Sequence, residues 1–326
     1  MSAFITVVIP TYRRPDLLSR CLLALANQTY PLEYFEVIVV ADGPDHETYS
    51  IVQHMREFHP TLCLEYYETP EKRGPATARN LGWKHGRGEL VAFTDDDCIP
   101  SMNWLSDFHR AYISHNRDLA SFSGKVVVPI SKPPTDYERN IANLETADFI
   151  TANCAVTRKA LEVTQGFDEE FPAAWREDSA LEFALMELDV PIFKIDKATI
   201  THPVREAPWG VSIREQKKSM FNALLFKKYP ELYKRKIADQ PVWNYYTMII
   251  FSSCAVVSFC YDQPVLGLLA AAIWMHFLGN FILKRLANSN LSFSHRAEMI
   301  FTSIIIPYLS VYWTLRGAIR YKVFFL

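Results

Sequence analysis

Residues 90–100 read Leu-Val-Ala-Phe-Thr-Asp-Asp-Asp-Cys-Ile-Pro, a short apolar run that stops on three consecutive acids. Leu90 to Thr94 has the length and make-up of a strand in a sheet buried on both faces. Asp95, Asp96 and Asp97 then crowd three carboxylates at its end, which is costly unless a cation or strong donors offset their repulsion. A hard divalent ion suits them. Mg²⁺ typically takes one or two carboxylates and fills its shell with phosphate oxygens and water, whereas an all-protein Ca²⁺ cage needs more oxygen ligands. A solvated acidic turn is the alternative for three acids alone; their position directly after a strand favours the cation.

The segments before this strand set its surroundings. Residues 4–9 (FITVVI) and 36–41 (EVIVVA) are short β-branched runs, and between them Leu18, Cys21, Leu22 and Leu25 recur at helical spacing. That makes a β-α-β unit. Helical patterns over 45–58 and 77–85 enclose a further strand over 62–67, so strands alternate with helices. Such alternation predicts an α/β domain, a mainly parallel sheet with helices on both faces and its ligand beyond the carboxyl ends of the strands. Pro10-Thr11-Tyr12-Arg13-Arg14 and Ala41-Asp42-Gly43 lie at two such ends, and the three aspartates at another. Arg73 to Gly82 (RGPATARNLG) adds a glycine that lets backbone approach a ligand, a helix start with free N–H groups, and two arginines. A capped helix with two solvated arginines is the alternative for that segment.

Of 326 residues 49% are hydrophobic and 21% charged, with a formal charge of −2, which excludes a disordered chain. Six scattered cysteines without a Cys-x-x-Cys pair exclude a disulfide scaffold or zinc cage and are in keeping with a reducing compartment. The charge is unevenly spread. Residues 1–204 hold 19 basic and 30 acidic side chains, residues 205–240 hold 9 and 4, and residues 241–326 hold 6 and 2. A soluble acidic domain, a basic amphipathic neck and an apolar membrane region are expected over those three spans. Phe4 to Ile9 is too short for a signal peptide, so the soluble part is expected to begin at residue 1.

Within the last span, 243–261 is free of charge and long enough to cross a hydrocarbon core of roughly 30 Å. Pro264 opens a second apolar run over 264–283 that ends at Lys284 and Arg285. The two read as a helical hairpin with basic flanks, which places both flanks and the soluble domain in the cytoplasm. A third helix is expected over about 300–319. It contains Pro307 and ends in basic residues, so spanning, kinking and lying in the interface all stay open.

Taken in order, IPTYRR (9–14), VVADG (39–43), RGPATARNLG (73–82), FTDDDCIP (93–100), NCAVTRKAL (153–161) with GFDEEFP (166–172), and WREDSALEFAL (175–185) resemble the family 2 glycosyltransferases. The resemblance covers about residues 4–204 and implies the Rossmann-like GT-A fold. It implies that Pro10, Thr11, Arg13 and Asp42 contact the nucleotide of a nucleotide-sugar, with Asp42 near the base. Arg79 and Asn80 help hold the donor. Asp95 and Asp97 match the outer positions of the family's Asp-x-Asp, Asp97 as the direct metal ligand and Asp95 nearer the ribose or sugar, with Asp96 between them at the donor site. Mg²⁺ or Mn²⁺ is the implied cofactor, and His202 is a candidate further ligand, a structural histidine being the alternative.

The Glu177–Asp178 pair matches the family's acceptor-side acids, which makes Asp178 the implied catalytic base; capping of the following helix is the alternative. Trp175 is positioned to stack on a sugar or simply to pack. The chemistry is coherent: a metal offsets charge on the departing diphosphate, a carboxylate deprotonates the acceptor hydroxyl, and one displacement inverts the anomeric carbon. Processive relatives carry Gln-x-x-Arg-Trp, but Gln216 is followed by Lys217, Lys218, Ser219 and Met220. Transfer of one sugar or a few, from a donor that is UDP-linked as is common in the family, to a lipid-linked or cell-surface glycan acceptor is therefore expected, with no nucleic-acid partner. A nucleotidyltransferase, or a non-catalytic nucleotide-sugar-binding partner of a glycan synthase, are the other readings.

Overall fold

The computed structural model describes residues 3–325. Met1, Ser2 and Leu326, which the expected domain limits include, lie outside the described residues. The chain begins with β1 (Ile5–Thr11), α1 (Pro15–Ala26), β2 (Phe35–Ala41), α2 (His46–Phe58), β3 (Cys63–Glu68), α3 (Pro75–His85) and β4 (Leu90–Thr94). It continues through β5 (Ile99–Pro100), α4 (Trp104–His115), β6 (Ser121–Val127), α5 (Asp136–Ala142), β7 (Asn153–Thr157), α6 (Arg158–Thr164), α7 (Glu177–Glu187) and β8 (Ile192–Thr201). The last part is helical: α8 (Val211–Glu215), α9 (Met220–Lys228), α10 (Pro230–Lys236), α11 (Trp243–Cys260), α12 (Pro264–Leu286) and α13 (Phe293–Tyr321).

The eight strands form one mixed sheet in the order β3-β2-β1-β4-β7-β6-β8-β5. Pairings among β3, β2, β1 and β4 are parallel, as the strand-helix alternation requires. Beyond β4 the direction changes. β7 runs antiparallel to both β4 and β6, β8 is parallel to β6, and the two-residue β5 is antiparallel to β8. Every residue of β1, β2 and β4 is buried, so both sheet faces are covered. On one face Val8, Val91 and Phe93 pack with Trp83 of α3, Leu161 of α6 and Leu181 of α7. Elsewhere α2 packs on β3, α4 on β8 and α1 on β5.

Local chemistry sets the boundaries that matter for the site. Asp45 caps α2, its Oδ1 accepting the Thr48 N–H at 3.1 Å. Pro75 starts α3 at its first turn, and Gly74 before it has φ +103°. Any Cβ there would strike the Pro172 backbone, so the loop before α3 and the loop before α7 touch at a point only glycine allows.

The chain divides into two compact units. The first is the sheet domain, residues up to Pro129 and Ala142–Val204; the second comprises Ile130–Ile141 and everything from Arg205. A chain crossing after Val204 is where the charge pattern shifts. The excursion Ile130–Ile141 is new, because it joins the second unit through a charge pair remote in sequence. Arg285, near the end of α12, is buried and donates to Asp136 Oδ2 at 2.7 Å, Thr302 Oγ1 at 2.6 Å and Ser303 Oγ at 3.1 Å.

In this second unit the hairpin is formed by α11 and α12, and much of its apolar surface is exposed. The neck, expected as one amphipathic helix, is instead α8, a 3₁₀ turn over Gln216–Ser219, α9 and α10, with Pro230 starting the last. Its Met220, Phe221, Leu224 and Leu225 are buried, and α9 packs along α13. The third helix is longer than the expected 300–319. It is capped by Ser292, whose Oγ accepts the His295 N–H at 3.3 Å, and runs through a buried Pro307 to Tyr321.

Candidate active site

The acids at the end of β4 have different surroundings. Asp96 is buried: its Oδ2 accepts the Thr11 hydroxyl at 2.8 Å, and its Oδ1 lies 3.3 Å from the Arg14 guanidinium. Burial pushes its carboxyl up to about 6 against the pull of Arg14. Asp96 and Thr11 therefore tie the end of β4 to that of β1. Arg14 closes the Pro10–Arg14 segment, but no local pattern reveals its pairing with Asp96, 82 positions away.

Asp42 is equally occupied. Its carboxylate accepts the Arg73 N–H at 2.7 Å and the Gly74 N–H at 3.0 and 2.9 Å, while its own N–H donates to Thr11 O at 2.9 Å. The N–H groups of Arg73 and Gly74, just ahead of the α3 start, are thus held by Asp42. Arg13, exposed with φ +53°, donates its N–H to Asp45 Oδ2 at 2.9 Å. Pro10, Thr11 and Arg13 stand with Asp42 at adjacent carboxyl ends, since β1 and β2 pair in register from Ile5–Phe35 to Thr11–Ala41.

Arg79 joins the two halves of the site. It is buried on α3; one of its terminal nitrogens donates to Asp95 Oδ1 at 2.8 Å and the other to Glu177 Oε1 at 3.3 Å. Asp95 belongs to the turn after β4, and Glu177 opens α7 ninety-eight positions from Arg79. Burial, and then the neighbouring Asp178, push the Glu177 carboxyl up to about 7 although Arg79 pulls it down. Asp178 is half-buried in the same first turn, and burial raises its carboxyl while the Ser179 N–H, 2.6 Å from Oδ1, draws it back. Arg176 enters this turn with φ +75° and carries its guanidinium 4.9 Å from the Trp175 ring centre. Trp175 is 38% exposed beside the acid pair.

Asn80 sits next to Arg79, yet its amide is spent within the protein. Its Nδ2 donates to Phe167 O at 2.8 Å and Glu169 Oε1 at 2.9 Å, and its Oδ1 accepts from Trp83 Nε1 at 2.9 Å and Phe167 N at 2.8 Å. Three of these bonds go to the Phe167–Glu169 loop and one to Trp83, so the amide's hydrogen bonds in this structure position that loop. Glu169, unremarked in the sequence, also accepts the Thr77 hydroxyl at 3.0 Å.

His202 follows β8, whose Thr201 pairs with Ile99 across the sheet edge. That pairing carries the imidazole to the acidic turn, with Nε2 3.7 Å from Asp97 Oδ1. Both residues are buried, and His202 Nδ1 has no hydrogen-bond partner among the described residues. Asp97, Cys98 and His202 each present a ligand atom, all within 4.8 Å of one another. Burial, followed by Asp95 and Asp97, raises the Cys98 thiol well above its usual value, so it stays protonated and is a poor partner for a hard cation. The carboxylate suits Mg²⁺ or Mn²⁺, an added imidazole favours the softer Mn²⁺ of the two, and a buried imidazole nitrogen without a partner among the described residues fits a site that receives a ligand.

A parallel half-sheet, an antiparallel β7 and an acidic turn facing the start of α7 define the GT-A fold. The family match is narrower: residues 6–163 match the family described as Glycosyl transferase family 2. Glycosyltransferase AglE of Haloferax volcanii is 35% identical over 102 residues, 31% of this chain and 33% of that protein. Poly(ribitol-phosphate) beta-N-acetylglucosaminyltransferase TarS of Staphylococcus aureus is 32% identical over 146 residues, 45% of this chain and 24% of that one. The chain thus spans a third or less of the length of these curated relatives.

Two solved structures share the fold. The mannosyltransferase PcManGT of Pyrobaculum calidifontis, in complex with GDP-Man and Mn²⁺, superposes with a TM-score of 0.58 at 19% identity, covering 99% of this chain and 88% of its own. Residues 1–349 of TarS with UDP-GlcNAc give 0.52 at 18% identity, covering 98% and 92%.

Proposed function

We propose that the protein is a metal-dependent, inverting glycosyltransferase that moves a sugar from a nucleoside diphosphate, UDP in our reading, to a hydroxyl acceptor at a membrane face. One observation supports this: Arg79 joins Asp95, in the turn after β4, to Glu177, the residue before Asp178 in the first turn of α7.

The chain's own groups divide the work. The ends of β1 and β2, with Thr11, Arg13 and Asp42, receive the nucleotide. Asp97 and His202, with Asp95 beside them, would hold Mg²⁺ or Mn²⁺, which when bound supplies positive charge against that developing on the diphosphate. Asp178 takes the proton of the acceptor hydroxyl as its oxygen bonds to the anomeric carbon and the carbon–oxygen bond to the diphosphate breaks. A single such displacement inverts that carbon. The raised Asp178 carboxyl suits a base that must both gain and release a proton. Trp175 offers a ring face near the acceptor side.

Gln216 donates to Ser212 O of the preceding α8 at 2.9 Å, and the Arg-Trp that would follow it in a processive synthase is absent from this sequence. We therefore read transfer of one sugar or a few, to a lipid-linked or cell-surface glycan. The α11–α12 hairpin anchors the protein, with its basic flanks and the catalytic domain on the cytoplasmic side.

The test is turnover of a panel of nucleotide-sugars by the purified full chain, with and without Mn²⁺ or Mg²⁺. Metal-dependent use of one donor, lost in Asp97→Ala and Asp178→Asn, is expected. Undiminished turnover after chelation would remove the metal, and a product that keeps the donor's anomeric configuration would remove Asp178 as the base.

A further inference from the structure

The helix α13 has 29 residues and, at 1.5 Å per residue, is about 44 Å long, enough to cross a bilayer. Its neighbours make a crossing unfavourable. Near its start, Glu298 Oε1 accepts the Gly210 N–H at 2.7 Å, and the Trp209 and Phe301 rings are 5.4 Å apart. Further along, Lys217 Nζ lies 5.9 Å from the Trp313 ring, and Gly317 packs directly on the Met220 backbone. Past its end, the Phe325 ring is 5.2 Å from Phe226 and 5.4 Å from Tyr233. The neck therefore accompanies α13 from its first turns to beyond its last. It brings Arg214, Lys217, Lys218, Lys227 and Lys228 with it. If α13 spanned, those charges would be drawn across the hydrocarbon, where each is expensive.

The other side of α13 is apolar and exposed. Phe293, Ile300, Ile304, Tyr312, Leu315 and Ile319 follow one another at helical spacing along it. We propose that α13 does not cross the membrane: it returns to the side on which it began and, with α8 and α9, forms a layer on the bilayer surface. That apolar stripe sinks into the headgroup and acyl boundary, and the neck lysines and arginines meet anionic headgroups. The middle of α13 leans on the hairpin, where the Tyr308 hydroxyl bonds to Ser252 Oγ at 2.9 Å next to Pro307. Its two ends stay with the neck. Arg316, Arg320 and Lys322 then lie on the same side as the other basic flanks, which satisfies the charge bias that a third span would break.

This inference rests on the hairpin reading above, and the experiment separates the two. In the full chain with Cys63, Cys254 and Cys260 replaced by serine, single Glu206→Cys, Gln263→Cys and Arg320→Cys variants are treated with a membrane-impermeant maleimide in right-side-out and everted vesicles. Arg320→Cys labelled from the Glu206 side, opposite Gln263, is expected. Arg320→Cys labelled from the Gln263 side overturns the surface layer and leaves the hairpin standing. Gln263→Cys labelled from the Glu206 side fells the hairpin and this inference with it. A depth measurement guards against a variant that folds badly. Fluorophores on Ile300→Cys and Ile319→Cys, both in the apolar stripe, should be quenched equally by a lipid-borne quencher, whereas a spanning helix would separate them by up to about 28 Å.

Discussion

Replacing Arg79 by methionine keeps most of the side-chain volume and removes the guanidinium that joins Asp95 to Glu177. Breaking a buried ion pair by deleting one partner typically costs about 3–5 kcal/mol, because the other charges stay behind. Part of that cost depends on pH, with a sign set by Glu177. Its folded carboxyl, at about 7, lies above its ordinary value. Between the two values the folded state keeps a proton that the unfolded chain has released, so stability falls as pH rises and the fall ends near pH 7. Without Arg79, which pulls the carboxyl down, the folded value moves higher and the fall continues above pH 7.

The gap between variant and wild type then widens at up to about 1.4 kcal/mol per pH unit, or about 2 kcal/mol from pH 7 to pH 8.5. For a unit of this size that is a further loss of roughly 4–8 °C in melting temperature. Thermal unfolding of the purified full chain, followed by tryptophan fluorescence at pH 6, 7 and 8.5, measures it. A difference in melting temperature that stays constant over that range would refute the reasoning, as would a variant as stable as wild type.

Asp178→Asn preserves an oxygen for the Ser179 N–H and should fold normally, with kcat down by roughly 10²–10⁴ and donor affinity little changed; loss through donor binding alone would count against a base. Because burial raises Asp178, the acid limb of the wild-type kcat/KM profile should lie above the ordinary aspartate range, activity rising with pH through it and the limb disappearing in the asparagine variant. His202→Ala should weaken Mn²⁺ binding in the presence of UDP by about tenfold or more, read by paramagnetic resonance of free Mn²⁺; unchanged binding would return the imidazole to a structural role. Asn80→Ala strips three hydrogen bonds from the Phe167–Glu169 loop and one from the Trp83 indole and should cost about 2–4 kcal/mol in chemical denaturation, whereas a fully stable variant impaired only in donor binding would reverse the positioning role.

Much of the parallel half was legible because its cues are local. The β-branched runs of β1 and β2, the helical spacing of Leu18, Cys21, Leu22 and Leu25, and the acids closing β4 each declare an element within a dozen residues. The hairpin was legible for the same reason, since length and lack of charge are read directly from the chain. Even where a motif was recognised, its internal bonding was hidden. Asn80 reads like a ligand residue, and only the packed loop shows its amide fully engaged.

Order and spacing of motifs, the nature of the acids and the apolar C-terminal runs were determined by the sequence alone. The antiparallel insertion of β7, the meeting of Asp97 with His202 across the β5–β8 edge, the Arg79 bridge and the neck's course along α13 were decided by tertiary structure. The reason is physical. Periodicity and side-chain type act over one or two turns, whereas these contacts join positions far apart in the chain. Their partners are set by strand register and by which buried charges must find one another once water is excluded.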